Sequence, residues 1–480
     1  MTPKYIVISA AIAALALTGC KKDIFKVDDS TVDPNLVPVE VVLASPSKAQ
    51  IIQLSKGLES AMRNGYRDYL LANGAVGREV IFSAATEPRY YGEILGTQTA
   101  QFGGANDPSG IFNGYYSSFS QTRRRAELLA RTANNATTIS EGEKKGVEGF
   151  ARTIQAFVTL NLLNMQGKNG IRETFSDLNV PGDLLKPGKF GTYESGLALV
   201  KKYVDDGYAA LNSSTAVFPF VLSKGWRTPP GDPGGIAELD FQAISNFKKF
   251  NRAVAARVAM YQKDWAGVLA ALNESYLDLT GSLTAGPKYV FSTAANDVAN
   301  TMFVAANNNN NPFVVFNEVI AEAEAGDRRI FGATAKVGQR TNQRSSGAFT
   351  STHEVRMYTS NTSSASIIRN EELILMYAEA KAQQNTAGTM AEAITAINRI
   401  RTAYSLAPYA GAVTRDALID EILKQRRYSL FWEGHRWFDM RRYNRLADIK
   451  PSGTISGNNY VVFEAMARPD AEVQWDKQNP

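Results

Sequence analysis

Residues 425–444, QRRYSLFWEGHRWFDMRRYN, constrain the fold more than any other stretch of this chain. These twenty residues hold five arginines, six aromatic residues and only two carboxylates. On one continuous helix, Glu433 and Arg436 lie three residues apart on one face, and so do Asp439 and Arg442. Because the rings avoid water, we expect the arginines to stack on them and to form ion pairs in a structural scaffold.

The order of residues in this stretch carries a resemblance. The pattern Arg-Arg-x-x-Leu-x-x-Glu-Gly-His-Arg-Trp-Phe-Asp-Met-Arg-Arg resembles the C-terminal signature of the SusD/RagB family. Gln425 and Ser429 depart from it, since glutamates are common there in the family. The signature positions that we assign to the scaffold are Arg426, Arg427, Glu433, Gly434, Arg436, Trp437, Asp439 and Arg442.

The resemblance implies a class of protein and a fold. SusD-like proteins are surface lipoproteins of Bacteroidetes that bind a nutrient for a SusC-like TonB-dependent outer-membrane barrel. The implied fold is mainly α, with helical pairs similar to tetratricopeptide repeats, long loop inserts and a little β-structure. Three further segments resemble the helical units of the family, at residues 144–164, 250–273 and 369–385.

The N-terminus reads as an export signal with a lipidation site. Residues 5–17 are an apolar run too short to span a bilayer stably, and Leu-Thr-Gly precedes Cys20, the only cysteine. We therefore expect a lipoprotein signal peptide at 1–19, a lipidated N-terminus and tether at 20–46, and a single domain at 47–480. The alternative is an ordinary secretory signal with an incidental cysteine. An acylated Cys20 would hold the protein on a membrane, and the resemblance implies the extracellular face of the outer membrane.

The spacing of apolar residues predicts a series of helices. A period of three to four residues marks 47–71, 115–131, 141–166, 193–211, 241–260, 264–273, 371–384 and 390–404. Short apolar runs at 288–291, 312–316 and 460–463 predict strands.

Two stretches lack this periodicity and predict ligand-facing inserts, at about 84–116 and 274–350. Loops of such length inside a compact domain are usually functional or disordered. The second insert contains an asparagine run at 307–311, which reads as a solvated turn or as a site for hydroxyl groups.

Composition excludes several kinds of chemistry. A formal net charge of +5 over 480 residues gives no concentrated basic footprint for nucleic acid. The two histidines are far apart in sequence and the cysteine is assigned to lipidation, so we expect no cofactor and no His/Cys metal site. An oxygen-only calcium site in the Asn/Asp-rich loops stays open. So does a surface-anchored glycoside hydrolase, for which Glu87, Asp107 and Glu318 are candidate carboxylates.

The non-helical stretches hold the residue types that bind sugars. Rings stack on the apolar faces of sugars, while Asn, Asp and Arg bind their hydroxyl groups. The candidates in the first insert are Arg89, Tyr90, Tyr91, Asn106 and Asp107, and Trp226 lies in a separate loop. Each also has a structural interpretation: Tyr90 and Tyr91 as loop anchors, and Trp226 as a buried anchor. For Phe102 we favour a role in loop anchoring.

The function that these observations and the resemblance predict is capture of an oligosaccharide or polysaccharide without catalysis, and its delivery to the barrel. Capture of a peptide or another non-glycan nutrient by the same fold is the alternative. A purely structural interaction protein built from helical repeats is a further one.

A first test concerns the arginine-rich stretch. We expect Arg436→Ala and Trp437→Ala to lower the thermal stability while the remaining folded protein keeps its ligand affinity, because the stretch is read as a scaffold. Thermal melting and calorimetry measure the two properties. A variant that melts like the wild type but no longer binds would favour the competing interpretation, in which Arg436 and His435 form an anion-binding or catalytic site.

Overall fold

A computed structural model describes residues 44–84, 86–95, 106–174, 188–215, 217–229, 235–295, 297–346, 349–449 and 462–479. Cys20, Phe102 and the predicted signal peptide lie outside these ranges. Among the described residues, no helix has both the length and the apolar character that crossing a bilayer requires.

Helices form most of the described chain. In chain order they are α1 Lys48–Ala61, α2 Tyr66–Val76, α3 Arg89–Leu95, α4 Gly114–Asn135, α5 Glu141–Gln166, α6 Tyr193–Asn212, α7 Ile244–Gln262, α8 Trp265–Asn273, α9 Asn317–Ala321, α10 Asn370–Gln384, α11 Ala387–Ala403, α12 Arg415–Ser429, α13 Arg436–Arg442 and α14 Asp470–Gln478. The mainly α fold predicted from the sequence is confirmed.

Local sequence explains the helix ends. The N-cap of α5 is a capping box, in which the Ser140 hydroxyl accepts from the Glu143 N–H at 3.2 Å and Glu143 accepts from the Ser140 N–H at 2.8 Å. The single helix predicted at 47–71 is wrong, because the chain turns between α1 and α2. Gly65 has φ +72 there, and a Cβ would lie 2.6 Å from Ser118 Cβ, so only glycine fits.

The helices pack in series. Each helix from α4 to α8 contacts the next one along the chain. Helix α8 then contacts α10, and α10 contacts both α11 and α12. One large apolar core follows most of this array, and a smaller one lies between α10, α11 and α12. The result is a helical wall onto which the non-helical segments fold.

A small sheet lies beside this wall. It has the antiparallel order β1–β3–β5–β4, formed by Val80–Phe82, Phe313–Val315, Phe349–Val355 and Val337–Ser346. A two-stranded ladder joins β2, Lys288–Tyr289, to β6, Ala365–Ser366. The strands predicted at 288–291 and 312–316 are thus present in shortened form. The strand predicted at 460–463 is wrong where the chain is described, because Val462 and Phe463 belong to no strand.

The first predicted insert is partly helical, which corrects the expectation of a loop at 84–116. It contains α3 and a 3-10 turn, Ile111–Asn113, and α4 begins at Gly114. The physical reason is apolar burial: Ile94 and Leu95 are 0% and 2% exposed, and α3 packs on β1 and α2. Residues 96–105 lie outside the described chain.

The arginine-rich stretch forms two helices with a turn between them, and not one. Trp432 and Gly434 have φ of +53 and +85 in that turn, which breaks helical spacing before Arg436. The predicted pairing of Glu433 with Arg436 is therefore wrong, since Glu433 forms ion pairs with Arg369 and Lys336 instead.

The second predicted pair in this stretch is confirmed. Asp439 and Arg442 pair at 2.9 Å, and the other oxygen of Asp439 accepts from Arg426 Nε at 2.7 Å. Arg442 also pairs with Glu379 of α10, so α10, α12 and α13 share one buried network. Arg426, Asp439 and Glu379 are each at most 2% exposed.

Arg436 and Trp437 were both expected to stabilise the scaffold, and the structure supports this role more clearly for Trp437. Trp437 is 0% exposed, and its indole N–H donates to the Phe463 carbonyl at 2.8 Å. Arg436 forms no ion pair with any described residue, and its pKa is lowered to about 10 by burial and by repulsion from Arg427. Its removal should therefore cost less stability than removal of Trp437.

The carboxylate of Asp439, at the centre of this network, should contribute strongly to the free energy of unfolding. Asp439→Asn leaves the buried Arg426 without its carboxylate, and breaking a buried pair costs about 3–5 kcal/mol. Asp448→Asn is the matched control, because it removes a half-exposed partner of Arg445 and should cost about 0–1 kcal/mol. Urea unfolding at pH 7 measures both. Equal midpoints for the two variants would refute the structural role.

The loss of stability in Asp439→Asn should depend on pH. Burial alone would raise the pKa of Asp439, but Arg426 and Arg442 outweigh it and lower the pKa to about 2. The stability that this carboxylate contributes is therefore complete above its unfolded pKa of about 3.9 and is lost as pH falls towards 2. The difference between wild type and Asp439→Asn should shrink over that range in acid unfolding curves.

Candidate functional site

The structure assigns the rings predicted to bind sugar largely to packing. Tyr90 lies edge-on to Phe82 and Phe112, with ring centroids 4.8 and 5.8 Å apart, and Tyr91 is half-buried against the same core. Trp226 is 2% exposed and packs edge-on against Phe250. This burial favours the interpretation of Trp226 as a buried anchor over that of a ligand platform.

The predicted polar ligands on this side are engaged within the protein. Asn106 donates to the Ala465 carbonyl at 3.1 Å and accepts from the Ala467 N–H at 2.8 Å, so its amide bridges two chain segments. One oxygen of Asp107 accepts from the N–H and hydroxyl of Ser109 at 2.8 Å each. These contacts hold a turn, and their geometry gives no specific support for a ligand role.

Arg89 is likewise paired, because its guanidinium forks onto Glu87 at 2.9 and 2.5 Å. This hydrogen-bonded pair lowers the pKa of Glu87. A glycosidase acid needs a raised pKa, so Glu87 has the opposite electrostatic setting. The two carboxylates that remain from the sequence, Asp107 and Glu318, lie in a turn and at the start of α9.

His435 and Arg436, the pair considered as an anion-binding or catalytic site, do not form an open site. His435 is buried at 6% exposure, and burial followed by repulsion from Arg257 and Arg426 lowers its pKa well below its ordinary value. Neither His435 nor Arg436 lines the cleft described next.

A cleft of about 940 Å³ lies on the described part of the chain. Its walls come from residues 303–306, 332–338 and 356–359, and from β6. Its size lies within the range of about 300–1,000 Å³ that is usual for small-molecule sites. Four rings contribute to the lining: Tyr66, Phe303, Tyr358 and Tyr404.

The floor of this cleft carries charges that compensate each other. Arg369 donates to Glu371 at 3.0 Å and pairs with Glu433, while Lys336 lies 3.5 Å from Glu433. Both cations also donate to the Ser429 carbonyl. With two cations facing two carboxylates, the floor is polar and preorganised and has no excess charge, which suits a neutral ligand rich in hydroxyl groups.

Arg356 supplies a more accessible polar group at the wall. Its side chain is 31% exposed, and Nη2 pairs with Glu354 at 2.6 Å. Among the described residues, its second terminal nitrogen, Nη1, forms no hydrogen bond or ion pair, which leaves that nitrogen for a ligand. Glu354 keeps Arg340 as a second buried partner, so the strand does not depend on Arg356 alone.

A turn borders the cleft where residues 303–306 continue into the asparagine run. Asn308 accepts from the N–H groups of Asn310 and Asn311 at 2.8 and 2.9 Å, and its own carbonyl accepts from Arg340. The run is thus a turn tied to the β4–β5 hairpin.

Sequence reasoning missed the cleft because its walls come from segments far apart in the chain with no shared motif. Of the residues that line the cleft, only Glu433 belongs to a sequence motif, and the helix expected there paired it with Arg436. No group of three or more His, Cys, Asp or Glu residues among those described is arranged to hold a metal ion.

Comparisons with known proteins agree with this fold. The family model described as SusD family matches residues 299–479. A SusD-like protein of Formosa agariphila, P38, is 31% identical over 145 residues, which span 28% of this chain. The match covers 27% of that curated relative's length.

Solved structures match over most of the chain. A laminarin binding SusD-like protein has a TM-score of 0.64 at 15% identity, covering 89% of this chain and 98% of that one. Surface glycan-binding protein A from Bacteroides thetaiotaomicron, in complex with laminarihexaose, has a TM-score of 0.63 at 13% identity, covering 90% and 99%. A SusD superfamily protein from Bacteroides vulgatus has a TM-score of 0.60 at 14% identity, covering 89% and 97%.

The helical wall with its folded-on inserts is thus similar in fold to solved SusD superfamily structures. The C-terminal region of the chain is in addition similar in sequence to the SusD family.

Proposed function

We propose that this protein captures a neutral oligosaccharide in the 940 Å³ cleft and does not cleave it. The observation that carries the proposal is the cleft's combination of two half-buried rings, Phe303 and Tyr404, with a charge-compensated polar floor; the other two rings of its lining, Tyr66 and Tyr358, are buried in the core. Sugars present apolar faces to rings and hydroxyl groups to planar polar side chains, and this lining offers both. The fold shared with a laminarihexaose-bound protein supports the same class of ligand.

We further propose that the captured ligand passes to a SusC-like TonB-dependent barrel in the outer membrane. In this proposal Cys20 carries the lipid anchor, residues up to about 46 act as the tether, and the domain faces the outside of the cell. The similarity of residues 299–479 to the SusD family supports it, and so does the apolar run before Cys20.

The binding site is tested by calorimetry with laminarihexaose and with panels of plant, fungal and host glycans and mixed peptides, on the chain from residue 21. Arg356→Ala should weaken binding of the glycan that the wild type binds by about tenfold, or about 1.4 kcal/mol, because the wall loses a charged donor. Arg415→Ala is the matched control, since that arginine is half-exposed and pairs with Asp416 at the start of α12.

The outcomes separate the alternatives. Equal affinities for Arg356→Ala and Arg415→Ala would remove the cleft from the site, provided that both variants melt like the wild type. Heat from peptides but from no glycan would establish the non-glycan alternative. Release of reducing ends above a buffer control would establish a hydrolase.

The anchor is tested by Cys20→Ser. This variant should leave the membrane fraction and lose incorporation of labelled palmitate, because no other thiol is present to be acylated. Ser30→Ala, in the same predicted tether, should remain lipidated and membrane-bound. Retention of Cys20→Ser on membranes after a carbonate wash would contradict the lipoprotein assignment.

A further inference from the structure

A second concavity, of about 660 Å³, lies apart from the floor of the cleft and has a different charge. It is formed by the second half of α1, residues 221–227, β2 and residues 290–297. Five cations line it against two carboxylates, Glu59 and Asp297. The cations are Lys56, Arg63, Lys224, Arg227 and Lys288.

The two carboxylates do not neutralise the exposed lysines. Asp297 pairs with Arg63 at 2.8 Å. Glu59 accepts from the Ser223 N–H at 3.1 Å through both oxygens, and burial raises its pKa. The side chains of Lys56 and Lys224 are exposed and form no hydrogen bond or ion pair with a described residue, while the charge of Lys56 acts on Glu59 only from a distance.

Apolar residues and three serines form the rest of the lining. Among the apolar residues, Phe291 is half-buried at the wall and Val221 is 52% exposed. A ligand that matches this lining has one apolar face and at least one anionic substituent. A saccharide ring bearing a sulfate ester or a carboxylate has both, whereas a free inorganic anion uses only the lysines.

A smaller hollow of about 250 Å³ shares Tyr66 with the cleft, and Arg63 and Phe291 with the basic concavity. Tyr66 of the cleft and Tyr289 of the basic concavity are in contact, with ring centroids 4.8 Å apart. The three concavities are therefore neighbours, and a chain of several sugars is the kind of ligand that reaches more than one of them.

We propose that the basic concavity is a second subsite, which binds an anionic substituent of the saccharide chain through Lys56 and Lys224. This proposal rests on the proposed function for the nature of the chain, and on its own residues for the anionic group. It predicts a preference for acidic over neutral saccharides that the cleft, with its compensated floor, does not provide.

The test compares two double variants that remove equal charge. Lys56→Ala/Lys224→Ala removes the proposed subsite. Lys201→Ala/Lys202→Ala is the control, since those exposed lysines of α6 pair with Asp205 and Asp206. All four positions are on the surface, where substitutions usually change stability by about 0.5 kcal/mol or less.

The probes are a chondroitin sulfate hexasaccharide, its desulfated counterpart, laminarihexaose and inorganic sulfate, in calorimetry at about 0.1 M salt, where charges still act over about 10 Å. The wild type should bind the sulfated hexasaccharide at least tenfold more tightly than laminarihexaose. Lys56→Ala/Lys224→Ala should lose this preference and keep its affinity for laminarihexaose, and the control should keep both. The desulfated chain shows whether carboxylates suffice.

Each of the other outcomes bears on one defined part of the proposals. No preference for the acidic chain in the wild type, or a preference that survives in Lys56→Ala/Lys224→Ala, refutes the subsite. Binding of inorganic sulfate alone refutes its saccharide specificity. Lysine-dependent binding of the acidic chain without binding of any neutral glycan supports the subsite and refutes the neutral cleft function, so the two proposals fail independently.

Discussion

The carboxylate of Asp439 lies between two buried arginines, and the arrangement of the C-terminal helices depends on this contact. Arg426 comes from α12 and Arg442 from α13, and Arg442 continues to Glu379 of α10. The Tyr443 hydroxyl donates to Glu379 at 2.6 Å and extends the network. Charges out of contact with water are tolerated only when each has a partner. The three helices therefore have few alternative positions in which all of these charges stay paired.

The C-terminal signature also reaches the cleft. The turn between α12 and α13 places Glu433 at the floor of the cleft, beside Arg369. Gly434 makes this turn possible, because a Cβ at its φ of +85 would lie 2.4 Å from Tyr69 Cε1. The Tyr69 hydroxyl donates to the Gly434 carbonyl at 3.1 Å and fixes the turn on α2. The helices of the arginine-rich signature are thus structural, whereas the turn between them contributes Glu433 to the candidate site.

This division explains what the sequence predicted well and what it did not. The helix at 141–166 was predictable to the residue, because its cap and its apolar stripe are both local signals. The β4 strand, Val337–Ser346, was missed since VGQRTNQRSS has no apolar alternation and is a strand only through its pairing with β5. Glu433 was assigned the wrong partner because helical spacing was extended through Gly434. The cleft as a whole escaped prediction, since its walls meet only in the folded chain.

Charge compensation, more than cleft size, separates the kinds of ligand that this surface fits. In the cleft, Arg369 and Lys336 already face Glu371 and Glu433, so a neutral sugar would meet polar groups that need no reorientation. Preorganisation of this kind lowers the ordering cost of binding. An anionic ligand would gain little there, because each cation would have to leave a carboxylate partner. The exposed Lys56 forms no ion pair with any residue that the structure describes, so there an anion would add an ion pair without breaking one.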